Sequence, residues 1–168
     1  MAFKAGELKT TDTWLTPRWI LDRLGMFDLD PCAAPSPRPW NTASKHYDIT
    51  HGKDGLKLPW TGRVWLNPPY SNANPWAEKM AAHGRGIMCL AVRAETRRWM
   101  DCVWGAASAV LLLAPRTTFM TPDGLGTYGN VNQTALAAYG TSDANILKAC
   151  GLNGVLIQKW RISKGVTE

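Results

Sequence analysis

The chain of 168 residues lacks any apolar run approaching the roughly 20 residues of a membrane span. Residues 1–13 are polar and have no hydrophobic core of a secretory leader, so we expect a loose N-terminal segment there. The four cysteines, Cys32, Cys89, Cys102 and Cys150, are scattered, none forms a C-x-x-C pair, and none of the three histidines stands at ligand spacing from them. That argues against a zinc site and a disulfide framework, and for reduced, mostly buried thiols in a cytosolic protein. Acidic residues are the scarcer charge, 13 against 19 basic, giving a net charge of +6 and a pI near 9.3. Such a surplus suits a polyanionic partner without demanding one. No internal repeat or low-complexity stretch interrupts the chain, and its length fits a single domain with a proper core.

What is present centres on Val64-Trp65-Leu66-Asn67-Pro68-Pro69-Tyr70. Val64, Trp65 and Leu66 suit a buried strand. Pro68 and Pro69 have no backbone N–H and stop the ladder, and Asn67, preceding a proline, is pushed toward an extended conformation. The oxygens of this corner are therefore held stiffly beside a carboxamide and a phenol. An exocyclic amine on a heteroaromatic ring is a poor nucleophile because its lone pair is delocalised into the ring. Two acceptors, the Asn67 side-chain oxygen and the Pro68 carbonyl, would draw the nitrogen toward tetrahedral geometry and localise that pair. The Tyr70 ring would stack on the base. No strong base is needed, and an electrophile delivered in line completes the requirement. Read without its neighbours, the same stretch is a rigid turn with a packed tyrosine.

The tetrad Asn67-Pro68-Pro69-Tyr70 resembles the catalytic motif of amino-methyltransferases that use S-adenosylmethionine. Three further pieces precede it in order: Asp12-Thr13-Trp14-Leu15-Thr16-Pro17, Phe27-Asp28-Leu29-Asp30-Pro31-Cys32-Ala33-Ala34, and Asp54-Gly55-Leu56. Together they resemble the small phage-type DNA N-6-adenine methyltransferases, a Dam-like family, across roughly the first 100 residues. The resemblance implies a Rossmann-like class I methyltransferase fold in one domain, residues 14–168. It implies catalytic roles for Asn67, Pro68, Pro69 and Tyr70, and cofactor contacts from Thr16, Pro17, Asp30 and Asp54, with no metal. The chain departs from the usual pattern in having no G-x-G after Asp30; Pro31, Pro35, Pro37 and Pro39 fill that loop instead. In related enzymes an acid at the place of Asp54 accepts the adenine amine of the cofactor; Asp48 is an alternative for that role, or for a contact to the ribose.

Read in order, Thr16-Pro17 suggests an N-cap and first helical position for a helix running to about Leu24. A short strand ends at Asp30, a weak one covers residues 45–49, and Asn74-Pro75 opens a helix reaching about His83. Residues 86–92 and 108–113 read as buried strands, with a helix over 96–104 between them. Residues 133–139 and 155–160 read as closing strands around a capped helix at 142–150. Alternation of strand and helix predicts a mostly parallel sheet, helices on both faces, and a terminal antiparallel strand. Residues 116–132, rich in glycine and polar groups, read as a hairpin-like, target-facing loop.

Without a large recognition domain, contacts to DNA would come from loops, with Arg93, Arg97, Arg98 and Arg116 as candidates. A base in a duplex would have to be flipped out, or single strands used. The tetrad also suits cytosine N4, a guanine amine in RNA or a protein glutamine. A non-catalytic DNA-binding module and a structural phage protein are readings of other classes. The family suggests the cytoplasm of a bacterial host; nothing in the residues reads out oligomeric state or target context.

Overall fold

The structure is a computed structural model and describes residues 13–129 and 132–163. Seven strands form one sheet: β1 (Leu29–Asp30), β2 (Lys45–His46), β3 (Val64–Leu66), β4 (Gly86–Ala91), β5 (Ala109–Leu113), β8 (Thr134–Tyr139) and β9 (Gly154–Ile157). A two-stranded ribbon, β6 (Thr118–Met120) and β7 (Thr127–Gly129), stands apart from it. The order across the sheet is β2-β1-β3-β4-β8-β5-β9.

Three helices, α1 (Arg18–Leu24), α2 (Asn74–His83) and α3 (Thr141–Ala149), and a π-helical turn at Trp99–Trp104 complete the fold. The two faces of the sheet are read directly from strand alternation. Val64 and Leu66 of β3 and Met88 and Leu90 of β4 pack with Trp76 and Met80 of α2 and with Trp99 of the π-helical turn. Trp65, Ile87 and Cys89 point to the other face, against Ile20 and Leu24 of α1 and Leu147 of α3. Helices therefore cover both faces, as expected.

The expected strand directions need correction. β2, β1, β3 and β4 pair in parallel, but the β4–β8, β8–β5 and β5–β9 pairings are antiparallel and make up most of the paired length. The sheet is mixed rather than mostly parallel with one terminal reversed strand. A parallel return needs a crossover, usually a helix. After β5 the chain instead forms the β6–β7 ribbon and re-enters the sheet as β8, reversed, between β4 and β5. From β8, α3 provides a crossover to β9 on the far side of β5.

Local expectations also shift at helix ends. Pro17, not Thr16, is the N-cap of α1, and no side chain caps it. The cap of α2 is Ala73, with Pro75 in the first turn. The hairpin expected over residues 116–132 is present as β6–β7, and backbone hydrogen bonds tie it to the chain start: Leu15 N–H to the Met120 carbonyl at 2.8 Å and Met120 N–H to the Leu15 carbonyl at 3.0 Å. The segment expected to be loose falls, through residue 12, outside the described residues.

Candidate active site

β3 delivers the tetrad to one end of the sheet. The Val64 N–H donates to the Arg85 carbonyl at 3.2 Å, so the donors of residues 64 and 66 face β4, and the next in that row falls on Pro68, which has none. The ladder stops there for that reason. Pro69 continues extended, at φ −60° and ψ 133°, and a 3₁₀ turn follows at Tyr70–Asn72.

A cleft of about 510 Å³ opens beside this corner. Asn67 and Pro69 form part of its wall; Pro68, which is buried, and Tyr70, an exposed aromatic, do not line it. The Asn67 Nδ2 donates to the Trp14 carbonyl at 3.0 Å. With the nitrogen so engaged, Oδ1 is the acceptor atom of the carboxamide. The tetrad and the Trp14-x-Thr16-Pro17 motif thus meet through a backbone carbonyl, which no residue pattern discloses.

Further lining comes from the loop after β1, Pro31 to Pro35, and from residues within 47–55. Asp54 is among them, its Oδ1 accepting from Leu56 N–H at 3.0 Å. Gly55 is required by close approach: a Cβ there would fall 1.8 Å from the Pro31 carbonyl oxygen. The Asp54-Gly55 turn and the Pro31 loop are therefore in direct backbone contact and form one floor. Lys79 of α2 braces this floor. Its ammonium donates to the carbonyls of Gly55, Leu56 and Leu58 at 3.0, 2.8 and 2.7 Å and lies over the Trp60 ring. Burial lowers the Lys79 pKa, with nearby Asp54 opposing.

Of the four residues expected to touch the cofactor, Asp54 alone lines the cleft. Asp30 ends β1 but turns into the protein, 4% exposed, where it accepts from Cys32 N–H at 3.0 Å and from the Thr42 hydroxyl. Burial pushes its carboxyl up to about 6, against the lowering effect of Thr42, Cys32 and Arg38. Thr16 and Pro17 are buried, and the Thr16 hydroxyl has no partner among the described residues. Thr13 and Trp14 take the place on the cleft wall.

Asp48, the alternative acid, is spent on structure. Burial alone would raise its carboxyl, but the Thr50 hydroxyl, Ser36 N–H, His51 and Thr50 N–H outweigh that and hold it down at about 2. Arg38 stands 3.6 Å from the same carboxylate and donates to the Ala34 carbonyl at 3.0 and 2.7 Å, so this network fixes the loop that proline, not glycine, supplies.

Tyr47, Ile49, Thr50, Lys53 and Trp76, which also line the cleft, were not legible as site residues. The arginine candidates divide. Arg93 and Arg116 are exposed, Arg97 meets Asp101 at 3.2 Å, and Arg98 donates to Asn74 Oδ1 at 2.9 Å. Among the described residues no group of His, Cys, Asp or Glu could hold a metal, and no helix is long and apolar enough to cross a membrane.

A seven-stranded mixed sheet with helices on both faces is compatible with a methyltransferase-like fold. The chain belongs to the DNA N-6-adenine-methyltransferase (Dam) family, whose model matches residues 6–144. It is similar to the DNA N-6-adenine-methyltransferase of Haemophilus phage HP1 (strain HP1c1), 32% identical over 120 residues, which are 65% of this chain and 66% of that protein. The chain thus spans just under two thirds of that relative's length. No solved structure matches it.

Proposed function

We propose that the chain transfers a methyl group from S-adenosylmethionine to the N6 amine of adenine in DNA. The observation that carries this reading is the Asn67 carboxamide on the cleft wall, its nitrogen held by the Trp14 carbonyl and its oxygen left to accept. Asn67 Oδ1 and the Pro68 carbonyl receive the two N–H bonds of the amine and localise the nitrogen lone pair. Tyr70 stacks on the base and fixes its angle. Two acceptors and a stacking ring hold the amine in line, and proximity of that kind supplies several kcal/mol of the barrier.

The donor set fits the cofactor. The cleft is of the size that holds a nucleoside-sized ligand. Its apolar members, Pro31, Tyr47, Ile49 and Trp76, suit a flat heterocycle, and Asp54, Thr50 and Lys53 offer polar contacts. S-adenosylmethionine, when bound, supplies an electrophilic methyl group on a sulfonium. Asp54 binds it directly. Asp30 serves it by holding the Pro31 loop through Cys32 N–H, and Thr16 and Pro17 by carrying Trp14 to the wall.

DNA is the partner, with the adenine flipped out or offered in a single strand. The β6–β7 hairpin and the exposed Arg93 and Arg116 face it, so binding weakens steeply with salt. Work on host DNA is done in the bacterial cytoplasm. Incubation with labelled cofactor and assorted DNAs, followed by mass spectrometry of the nucleosides, tests the reading. N6-methyladenine is the expected product; N4-methylcytosine, or unmodified DNA, overturns it.

A further inference from the structure

The peptide group joining Trp14 and Leu15 has a partner at each end. Its carbonyl accepts from Asn67 Nδ2 at 3.0 Å, and its N–H donates to the Met120 carbonyl of β6 at 2.8 Å. A peptide group is planar and rigid, so its C=O and N–H move together. A tilt imposed at β6 is therefore delivered to the Asn67 amide. Leu15 is 3% exposed, which leaves little room for water to replace the bond from its N–H. A second tie runs in parallel. Trp40 Nε1 donates to the Thr16 carbonyl at 3.2 Å, and neighbouring Pro39 lies against the hairpin tip, where a Cβ on Gly124 would come within 2.9 Å of its Cγ. Segment 14–16 is thus held on one side by the catalytic corner and on the other by the hairpin.

We propose that the Trp14–Leu15 peptide is a positioning element that couples the β6–β7 hairpin to the Asn67 carboxamide. Seating of the hairpin on DNA sets the angle of the amide oxygen that receives the adenine amine. The proposal rests on the roles given above to Asn67 and the hairpin, and it adds how one reports to the other. The terminal torsion of an asparagine is broad, so the bond to Trp14 is what fixes the amide. Reaction geometry tolerates only about half an ångström of error. A device of this kind lets target contact, rather than cofactor binding, complete the site.

The test replaces Leu15 by its α-hydroxy acid, turning the 14–15 amide into an ester. This deletes the N–H to Met120 and weakens the carbonyl that Asn67 uses, with every side chain kept. The expected result is a fall in kcat of about tenfold or more, with the KM for DNA and the Kd for S-adenosylmethionine within about twofold of wild type. The Asn67 side-chain amide signals in nitrogen-15 spectra, assigned by their loss in Asn67→Asp, shift when DNA lacking adenine, which seats the hairpin but offers no N6 amine, is added to the wild type, and cease to do so in the ester variant. Met120→Pro is the second variant and carries the test if the ester protein does not fold. It removes the N–H given to Leu15, which β6 does not use in its pairing with β7, and should show the same split more weakly.

An unchanged kcat in the folded variants overturns the proposal. So does a fall matched by equal losses of cofactor affinity and thermal stability, or an amide signal that responds to DNA identically with and without the ester. The spectroscopic readout needs no methyl transfer. A chain that modifies a different base would fail the functional reading and still show the coupling, so the two failures are distinct.

Discussion

Replacing Asp30 by Asn separates a charge that binds cofactor from a buried staple that shapes the loop. The carboxyl is buried, and its pKa rises from 3.8 to about 6 on folding, chiefly from loss of solvation. The folded state therefore prefers the protonated acid. The resulting cost is fully present above about pH 6, shrinks as pH falls, and is gone below 3.8. At alkaline pH the shift corresponds to roughly 3 kcal/mol. Asparagine removes the charge and keeps the Oδ1 acceptor for Cys32 N–H, while the Thr42 hydroxyl can turn and accept from the new amide. Remaking that bond imperfectly costs about 1 kcal/mol, which leaves a net gain of about 1–2 kcal/mol at pH 8. At pH 4.5 the gain should vanish or reverse. Urea unfolding at the two pH values reads the difference, and calorimetry reads S-adenosylmethionine affinity, expected within a few-fold of wild type. Destabilisation at pH 8, a pH-independent effect, or loss of cofactor binding by a folded Asp30→Asn protein would refute the reasoning.

Other outcomes follow from the same geometry. Lys79→Met takes the donor from three carbonyls under the cleft floor; we expect roughly 1–3 kcal/mol lost in urea unfolding and about tenfold weaker cofactor binding by calorimetry. Asp143→Ala strands the Arg63 guanidinium, which sits 2.6 Å from that carboxylate with both side chains largely buried, and should cost about 3 kcal/mol or more without changing the product. Asp48 behaves oppositely to Asp30: its pKa is held down at about 2, so its contribution is complete above pH 3.8 and is lost as pH falls toward 2. Asp48→Asn should accordingly flatten the acid limb of a stability-against-pH curve.

The turn of the chain out of β3 at Asn67 was legible because prolines act locally. Pro68 ends the ladder wherever β3 is placed, and Asn67 must then leave the sheet. The Asp54-Gly55 pair was legible as a turn, but its close approach to the Pro31 carbonyl belongs to the assembled fold. The inward turn of Asp30 was not legible, because a strand-end acid reads the same whether its carboxylate faces a cleft or the core. The Trp14 carbonyl could not be read at all, since every residue carries one. Strand direction was hidden for a related reason: the apolar run of β8 suits either sense, and the absence of a helical period across residues 116–132 was the one available sign that the chain returns antiparallel.

The role proposed for the Asn67 carboxamide is tested most directly by single-turnover methyl transfer with Asn67→Ala. With S-adenosylmethionine affinity retained by calorimetry, N6-methyladenine formation should fall by about a hundredfold or more, as expected for removing a positioned hydrogen-bonding group. Undiminished methylation by a cleanly folded Asn67→Ala protein would contradict it.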